Sequence, residues 1–258
     1  MKGDIIEVWD NRSHSYSKVV QGGMASSYES RGWQEIFTDA MGPGRYKVLD
    51  VGTGPGVVAF LLSQLGHEVT AVDLSEGMLT AARRNAAQYG LDIRFEKGDA
   101  EALPFPDSSF DIVVSKYVLW TVPNPAKALS EWYRVVRPGG KVIYVDGNWN
   151  TDLESSWWRR RWRDAARLST ALSERRYSPR ERKDFSNSLW EMLWSTHADR
   201  PAQDLNMMGE VGFENISTVN IPNRRVLSGM RYFQHGYWKG NFLVRGTKGS
   251  REGPTENR

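Results

Sequence analysis

Residues 48–56 read VLDVGTGPG, a short apolar run that leads directly into a glycine-rich turn. The apolar run predicts a buried strand, and the apolar residues at 57–65 predict a helix that Gly66 ends. Glycines in such a turn let the backbone approach a ligand closely and adopt φ values that other residues avoid. The amides at the start of the helix then favour a negatively charged group. The segment therefore predicts a ligand-binding strand–turn–helix unit.

The segments on both sides of this unit continue the alternation of strand and helix. The first strand is predicted at 46–51, and further strands at 67–72, 91–96, 110–115 and 141–145. Ser75 is an N-cap candidate for a helix that Gly90 ends, and Asn124 followed by Pro125 marks another helix start. Two more strands are predicted at 213–221 and 241–246. Such alternation is typical of an α/β protein with a parallel sheet.

Aspartates accompany three successive predicted strands. Asp50 precedes the glycine turn, Asp73 ends the second strand, and Asp99 follows the third. Asp50 is placed to receive an ammonium group, directly or through water, and Asp73 to accept both hydroxyls of a ribose. Asp99 is placed to accept from an adenine amino group, while the Ala100 amide donates to the ring. An Asp after a strand is often only a turn or N-cap residue, but three in order indicate a nucleoside site.

The glycine spacing distinguishes between two nucleoside cofactors. Nicotinamide dinucleotides use G-x-G-x-x-G, which seats a pyrophosphate on the helix end. Here Gly52, Gly54 and Gly56, with Thr53 between them, follow G-x-G-x-G. S-adenosylmethionine has no phosphate and offers its carboxylate to the same amides, so the spacing favours it. A nicotinamide-dependent oxidoreductase stays as an alternative.

Residues 46–145 resemble the class I S-adenosylmethionine-dependent methyltransferases, nearest their ubiquinone/menaquinone branch. The matching segments, in family order, are VLDVGTGPG, VTAVDLSEGML, GDAEALPFPDSSFDIVVS and RVVRPGGKVIYVD. The resemblance implies a Rossmann-like, mostly parallel sheet of seven strands flanked by helices, with the last strand antiparallel. It also implies cofactor contacts from Leu74, Met78, Ser115 and Tyr16. Members often carry a His near the position of Trp120, so a quinone-precursor acceptor does not follow from the resemblance.

The catalytic residues of a methyl transfer are harder to predict than the cofactor site. The protein mainly has to hold an acceptor lone pair in line with the S–CH3 bond. A general base is needed only when the acceptor is protonated at the working pH. The candidates are His14, Tyr16, Lys116 and Tyr117, and each of them is also explained as a structural or substrate-positioning residue.

A segment rich in Trp and Arg begins near residue 150. Residues 155–183 hold ten basic and three acidic residues, and their pattern predicts a helical insertion over 150–200 that acts as a lid after the fifth strand. Ligands in this fold lie beyond the carboxyl ends of the strands, which predicts acceptor contacts from Trp120, Trp149, Trp157 and Tyr237. The tryptophan rings are equally well explained as the core of the insertion itself.

RNA is the second alternative acceptor, because basic and aromatic residues interleave in this insertion. However, the formal net charge is only +3, and the motif [DNS]-P-P-[YF] of enzymes that modify exocyclic amines is absent after the fourth strand. The chain contains no Cys, which excludes a thiolate nucleophile and Cys-ligated zinc. We therefore expect a small-molecule acceptor. A sensor that binds the cofactor without turnover is a further alternative.

The 258 residues divide into five predicted parts. These are an N-terminal helical cover (1–45), the cofactor-binding core (46–149), the lid (150–200), the C-terminal part of the sheet (201–247) and a disordered tail (248–258). No apolar run approaches the roughly 20 residues of a membrane span, and no signal peptide is evident, so a cytoplasmic protein is expected. Asp146 and Asn148 alone do not predict a metal site, because the sequence does not show the further ligands that such a site needs. The segment 231–238 is interpreted as a loop that reaches the acceptor or a second copy in a homodimer.

Overall fold

The computed structural model describes residues 1–148, 156–173, 186–237 and 240–250. Seven strands form one sheet: β1 (Lys47–Val51), β2 (Glu68–Asp73), β3 (Arg94–Lys97), β4 (Phe110–Lys116), β5 (Val136–Asp146), β6 (Phe213–Ile221) and β7 (Asn241–Lys248). Their order is β3-β2-β1-β4-β5-β7-β6. Strand β7 runs antiparallel to β5 and β6, and the other neighbouring pairs are parallel. The predicted Rossmann-like sheet with an antiparallel last strand is confirmed.

Helices precede the sheet and connect its strands. They are α1 (Lys2–Ala25), α2 (Ser27–Met41), α3 (Val57–Gln64), α4 (Glu76–Tyr89), α5 (Pro125–Val135), α6 (Trp157–Ser173), α7 (Asn187–Met192), α8 (Trp194–His197), α9 (Ala202–Val211) and α10 (Gly229–His235). The predicted caps are present. The Ser75 side chain accepts from the Met78 amide, and that of Asn124 accepts from the Lys127 amide.

Apolar side chains alternate between the two faces of the sheet, as buried strands require. On one face, Val48 and Ile112 belong to a cluster that includes Phe37 and Phe60 of the covering helices. On the other, Leu49 belongs to a cluster that includes α5 and α9 residues. Both faces are therefore covered. This arrangement leaves the carboxyl ends of the strands as the open edge of the core.

The insertion differs from the sequence expectation in two respects. The sequence pattern predicts one short helix at 186–196, but the structure has two, α7 and α8, because Leu193 between them has an extended backbone, with φ −74° and ψ 129°. On α6, the spacing predicts that Trp158, Trp162 and Ala165 share one face, but Trp158 is 46% exposed and the buried residue is Ala166, which is outside that set. The remainder of the insertion, at 150–155 and 174–185, lies outside the described residues, as do most of the predicted tail (251–258) and Trp149.

Segment 231–238 was expected to be a loop, but most of it forms α10. The ring of Trp162 packs against Tyr232, with centroids 5.4 Å apart, and the Trp162 indole donates to the Phe233 carbonyl at 2.8 Å. Helix α6 thus lies against α10. Among the described helices, none combines the length and apolar character needed to cross a bilayer.

A buried ionic cluster joins β5 to the start of α9. The Arg200 guanidinium donates to Asp204 at 2.6 Å and to Asp146 at 2.9 Å, and all three side chains are almost fully buried. Asp146 also accepts from the Trp120 amide at 3.0 Å. Asp146 is therefore a structural anchor. In the described part of the chain, no group of three or more acidic or His side chains is arranged to hold a metal ion.

Candidate active site

A cavity opens at the carboxyl ends of β1, β2, β3 and β4, and we call it the strand-end cavity. Ten of the residues predicted for the cofactor line it: Tyr16, Asp50, Gly52, Thr53, Gly54, Asp73, Leu74, Met78, Asp99 and Ala100. The topology brings them together because β1 and β4 are neighbours whose connections leave to opposite sides, which opens a crevice at this edge. Residues far apart in the sequence thus meet around one space.

The glycine turn lies against this cavity. Gly54 has a φ of 55°, in the left-handed region, and its amide donates to Asp73 at 2.8 Å. A Cβ added at Gly54 would have only the Tyr16 ring within 4 Å, at 3.8 Å, so this face of the turn is open to a ligand. Gly56 has a different role, because a Cβ there would lie 2.3 Å from the Phe60 ring. Gly56 permits close helix packing and does not line the cavity.

Two carboxylates lie beside the turn: Asp50 is buried and Asp73 is half-buried. Asp50 accepts from the Ala59 amide at 3.1 Å, and burial raises its pKa to about 7. Asp73 accepts from the Gly54 and Ser75 amides, and burial raises its pKa to about 6. Burial disfavours the charged form of an acid, whereas a nearby cation favours it. A cationic ligand in the strand-end cavity would therefore be stabilised by both groups.

Asp99 lines the same cavity but already has partners. Its carboxylate accepts from the Lys2 ammonium at 2.8 Å and from the Glu101 amide at 3.0 Å. Lys2 also donates to the Glu101 side chain at 2.8 Å. An ionised carboxylate has about four acceptor positions, so Asp99 keeps capacity for one more donor. The N-terminal helix α1 is thereby tied to the loop after β3, across the cavity.

Several predicted site residues lie elsewhere. The Ser115 hydroxyl donates to the Val51 carbonyl at 2.8 Å and joins β4 to β1 without lining a described cavity. His14 is exposed on α1. Trp120 packs with Ile5, Val8, Leu189 and Leu193 in a small apolar cluster, and its ring stacks on Trp190 at 5.2 Å.

The other predicted acceptor contacts also lie away from the cavities. Trp157 is 71% exposed at the start of α6. Tyr237 accepts from Arg159 through its backbone carbonyl at 2.8 Å. Their aromatic character, and that of Trp120, led to the acceptor prediction. In the structure, however, Trp120 serves packing, and the contact made by Tyr237 uses its main chain.

A second cavity of about 320 Å³, which we call the aromatic cavity, adjoins the first. Helix α2, the end of β4, α10 and the start of β7 enclose it, with residues that include Glu29, Trp33, Val226, Arg231, His235 and Asn241. Four residues line both cavities: Tyr16, Val57, Lys116 and Tyr117. These four form the wall that the two spaces share.

Lys116 and Tyr117 are the polar centre of this shared wall. The Lys116 ammonium lies 3.7 Å from the centroid of the Tyr117 ring and 4.7 Å from that of Trp33. Burial lowers the pKa of Lys116 to about 7, although Asp50 attracts the proton. Tyr117 holds a φ of 61°, and its hydroxyl donates to the Asn241 side chain at 3.0 Å. Strained backbone at a cavity wall is typical of a functional site.

Arg231 and Glu29 form an ion pair at the aromatic cavity. Gly22 and Gly23 permit it, because a Cβ at either position would lie 3.1 Å or less from one of these two side chains. Burial and the neighbouring Arg231 lower the pKa of His235, so the neutral imidazole is favoured. The aromatic cavity therefore combines apolar walls with a small number of placed polar groups, as ligand pockets do.

Sequence reasoning missed most of the aromatic cavity. It also missed Lys2, Glu101 and the segment Thr121, Val122 and Pro123 on the strand-end side. The position of Thr121–Pro123 shortly after β4 is a signal that could have identified them. No local signal marks Glu29 or Trp33, because α2 reaches the site only through its packing on the sheet.

Comparison with known proteins agrees with this geometry. Residues 49–144 match a family model described as "Methyltransferase domain". The chain is 30% identical over 198 residues to the ubiquinone/menaquinone biosynthesis C-methyltransferase UbiE of Roseobacter denitrificans, covering 73% of this chain and 75% of that protein. The chain belongs to the class I S-adenosylmethionine-dependent methyltransferases. The resemblance to their ubiquinone/menaquinone branch is confirmed.

Two further relatives show how far this chain resembles known proteins. It is 37% identical over 145 residues to a demethylmenaquinone methyltransferase of Renibacterium salmoninarum, covering 55% of this chain and 58% of that protein. It spans about half the length of other curated relatives. A solved structure from Methanococcus maripaludis, assigned to the S-adenosylmethionine-dependent methyltransferases, shares the fold with a TM-score of 0.61 at 21% identity, covering 95% of each chain.

The strand-end cavity fits S-adenosylmethionine, the methyl donor of this family. The open face at Gly54 accommodates close approach of a ligand, and the carboxylates of Asp50 and Asp73 suit a molecule with an ammonium and a sulfonium. Met78 is 2% exposed and lines the cavity beside Leu74, which gives an apolar surface for a planar base. The spacing of the glycine turn had favoured the same cofactor.

Proposed function

We propose that this chain transfers the methyl group of S-adenosylmethionine to a small planar acceptor, bearing a hydroxyl group, that binds in the aromatic cavity. The observation that carries this proposal is the wall of Tyr16, Val57, Lys116 and Tyr117 that the two cavities share. A donor on one side and an acceptor on the other would meet at this wall. Such juxtaposition is what an in-line transfer requires.

Each cavity has a defined part in this proposal. In the strand-end cavity, Asp50 would receive the methionyl ammonium, Asp73 the ribose hydroxyls, and Asp99 with Ala100 the adenine edge. S-adenosylmethionine supplies an electrophilic methyl group on its sulfonium when bound. The protein's task is then to orient the acceptor and to exclude water, for which the rings of Trp33 and Tyr117 offer flat apolar surfaces.

The acceptor class rests on size, shape and relatives. A cavity of about 320 Å³ admits one or two fused rings. The relatives from Roseobacter denitrificans and Renibacterium salmoninarum are named for ubiquinone and menaquinone methylation. A ring of the reduced quinone type, with methylation at carbon, is therefore the acceptor class that we propose.

The insertion has a supporting part. We propose that α6 acts on the acceptor through α10, which supplies Arg231 and His235 to the aromatic cavity. This replaces direct contact by the tryptophans, since Trp162 holds α10 through its ring and its indole N–H. The lid interpretation is kept for α7 and α8, and α8 contacts the turn at Leu119–Thr121 after β4. The Trp194 indole there donates to the Leu119 carbonyl at 2.9 Å.

The proposed function is tested with methyl-labelled S-adenosylmethionine and 1,4-naphthohydroquinone, kept reduced under anaerobic conditions. The expected product is one methyl group heavier by mass spectrometry, with label on a ring carbon. Naphthalene is the matched control, because it has the same rings without a hydroxyl and should not react. Absence of methyl transfer to the hydroquinone, in a chain that binds S-adenosylhomocysteine, would show that the acceptor class is wrong.

A further inference from the structure

We propose that Lys116 is the group that takes a proton from a hydroxyl of the methyl acceptor, an inference that rests on the function proposed above. Lys116 ends β4 and lines both cavities, so it is one of the four residues in the wall that donor and acceptor would share. Its ammonium lies over the rings of Tyr117 and Trp33, which line the aromatic cavity. A flat ring lying in the aromatic cavity would bring its hydroxyl within reach of the Lys116 nitrogen.

Charged and titratable groups face Lys116 from several elements. They are Tyr16 from α1, Glu29 from α2, Asp50 from β1, Tyr117 from β4, and Arg231 and His235 from α10. Burial lowers the pKa of Lys116 to about 7, and attraction by Asp50 and Glu29 keeps it from falling further. About half of the Lys116 side chains are then neutral amines near pH 7, and a neutral amine is able to accept a proton.

The other candidates are less suited to this role. Burial raises the pKa of Tyr117 well above 10 and also raises that of Tyr16, so both phenols keep their protons at neutral pH. His14 is exposed and lines neither described cavity. His235 lines the aromatic cavity but is absent from the shared wall. Among these candidates in the described residues, Lys116 both lies in the shared wall and has a pKa that lets it accept a proton near pH 7.

The proposed step balances in atoms and electrons. The Lys116 amine takes the hydroxyl proton and becomes an ammonium, which leaves the acceptor as an oxyanion conjugated with its ring. A ring electron pair forms the bond to the methyl carbon while the methyl–sulfur bond breaks, and that pair stays on sulfur. The ring carbon then loses its proton as the ring hydroxyl is restored. Lys116 finally returns its proton to water, so one proton is released for each methyl transferred.

Trace acetylation of the whole chain tests the state of Lys116 without turnover. The chain, saturated with S-adenosylhomocysteine, is treated with limiting acetic anhydride at intervals between roughly pH 5 and pH 11, a range that spans the shifted and ordinary pKa values for Lys. Mass spectrometry then gives the labelled fraction of each Lys. The exposed Lys18 and Lys97 serve as internal references. Lys116 should reach half-maximal labelling near pH 7, well before the references.

Two substitutions separate proton transfer from charge. Lys116→Met removes the amine, whereas Lys116→Arg keeps a cation that cannot act as a base at neutral pH. Both variants should lose roughly 100-fold or more in kcat with 1,4-naphthohydroquinone. With S-adenosylmethionine saturating at every pH, the parent's kcat/KM for 1,4-naphthohydroquinone should rise with pH up to about 7, and this dependence should disappear in both variants. Circular dichroism spectra of both variants should match that of the parent, which shows that the fold is intact.

A more acidic acceptor adds a rescue measurement. With 2-chloro-1,4-naphthohydroquinone, whose hydroxyls ionise more readily, Lys116→Met should lose less activity than with the unsubstituted ring. Parental rates in both variants, or Lys116 labelling that follows the exposed references or never occurs, would overturn the proposal. If the parent binds S-adenosylhomocysteine but methylates neither hydroquinone, the proposed acceptor class fails. Early labelling of Lys116 would then still support its role with another hydroxyl acceptor.

Discussion

Gly54 has a φ of 55° at the rim of the strand-end cavity, so Gly54→Val tests whether this turn binds the donor. A β-branched side chain is strained at this φ and would also project toward Tyr16 into the cavity. We expect the variant to lose roughly 100-fold in affinity for S-adenosylhomocysteine, or about 2.7 kcal/mol. Isothermal titration calorimetry measures this directly.

The matched control is Gly66→Val, which isolates backbone strain from ligand contact. Gly66 has a φ of 86° and no heavy atom within 4 Å of an added Cβ, and it lies after α3, outside the cavity lining. This variant should lose stability while keeping its affinity for S-adenosylhomocysteine. Parental affinity in Gly54→Val would contradict our placement of the donor.

The raised pKa of Asp50 predicts that donor binding depends on pH. Burial raises its pKa to about 7 in the free protein, so at pH 6 most Asp50 side chains carry a proton that a bound ammonium must displace. Affinity for S-adenosylhomocysteine should therefore fall about tenfold between pH 8 and pH 6, with proton release near pH 7. Calorimetry in two buffers of different ionisation enthalpy measures both. Asp50→Asn should bind weakly at every pH and release no proton.

The raised pKa of Asp50 also affects the free energy of unfolding. Its effect has the opposite sign to that of an acid in a salt bridge, whose pKa is lowered. An acid with a raised pKa binds its proton more tightly in the folded state, so ionisation costs stability. The contribution of Asp50 is most favourable near pH 4 and declines as pH rises through about 7. Asp50→Asn should therefore show a flatter profile of unfolding free energy over this range, measured by urea denaturation. An unchanged slope would show that Asp50 does not titrate there.

At the scale of elements, sequence reasoning succeeded where local signals dominate. The glycine turn and the caps at Ser75 and Asn124 are set by residues a few positions apart, and the structure contains them. It failed where distant segments meet. Glu29 and Arg231 pair across 202 positions, and nothing near either residue predicts it. The aromatic composition also led to a wrong expectation for Trp120. A tryptophan suits both burial in a packed cluster and contact with a ligand, so the residue type alone does not distinguish the two roles.

Helix α6 tests whether one element controls the acceptor site through another. Trp162 holds α10 by its ring and its indole N–H, so Trp162→Ala should loosen α10. Amide hydrogen exchange in 229–235 should become roughly tenfold faster, which is about 1.4 kcal/mol of local stability. Affinity for S-adenosylhomocysteine should stay parental, because α6 contributes no residue to the lining of the strand-end cavity.

Leu168→Ala is the matched control on the same helix, since Leu168 is 64% exposed. It should leave exchange in α10 and donor affinity unchanged. Equal losses of donor affinity and α10 protection in Trp162→Ala would show that the insertion supports the whole site. Unchanged exchange in α10 would show that the contact between the two helices has no mechanical effect.

At the scale of the whole molecule, one ligand should stabilise the fold because its cavity joins α1 to four strands. Residues of α1, of the ends of β1, β2 and β4, and of the loop after β3 all line that cavity. S-adenosylhomocysteine at 100 times its dissociation constant should add about 2.7 kcal/mol to the free energy of unfolding. For a chain of this size, that raises Tm by roughly 5–10 °C.

NAD at the same concentration should leave Tm unchanged, because the turn follows G-x-G-x-G and carries no seat for a pyrophosphate. Thermal unfolding followed by circular dichroism measures both ligands on one sample, with Gly54→Val as the control in which the response to S-adenosylhomocysteine is lost. An equal rise with NAD would restore the oxidoreductase alternative. A parent chain that unfolds at the same temperature with and without S-adenosylhomocysteine would mean that the carboxylates of Asp50 and Asp73 bind another cation. The strand-end cavity would then hold no methyl donor, and Lys116 would have no part in methyl transfer.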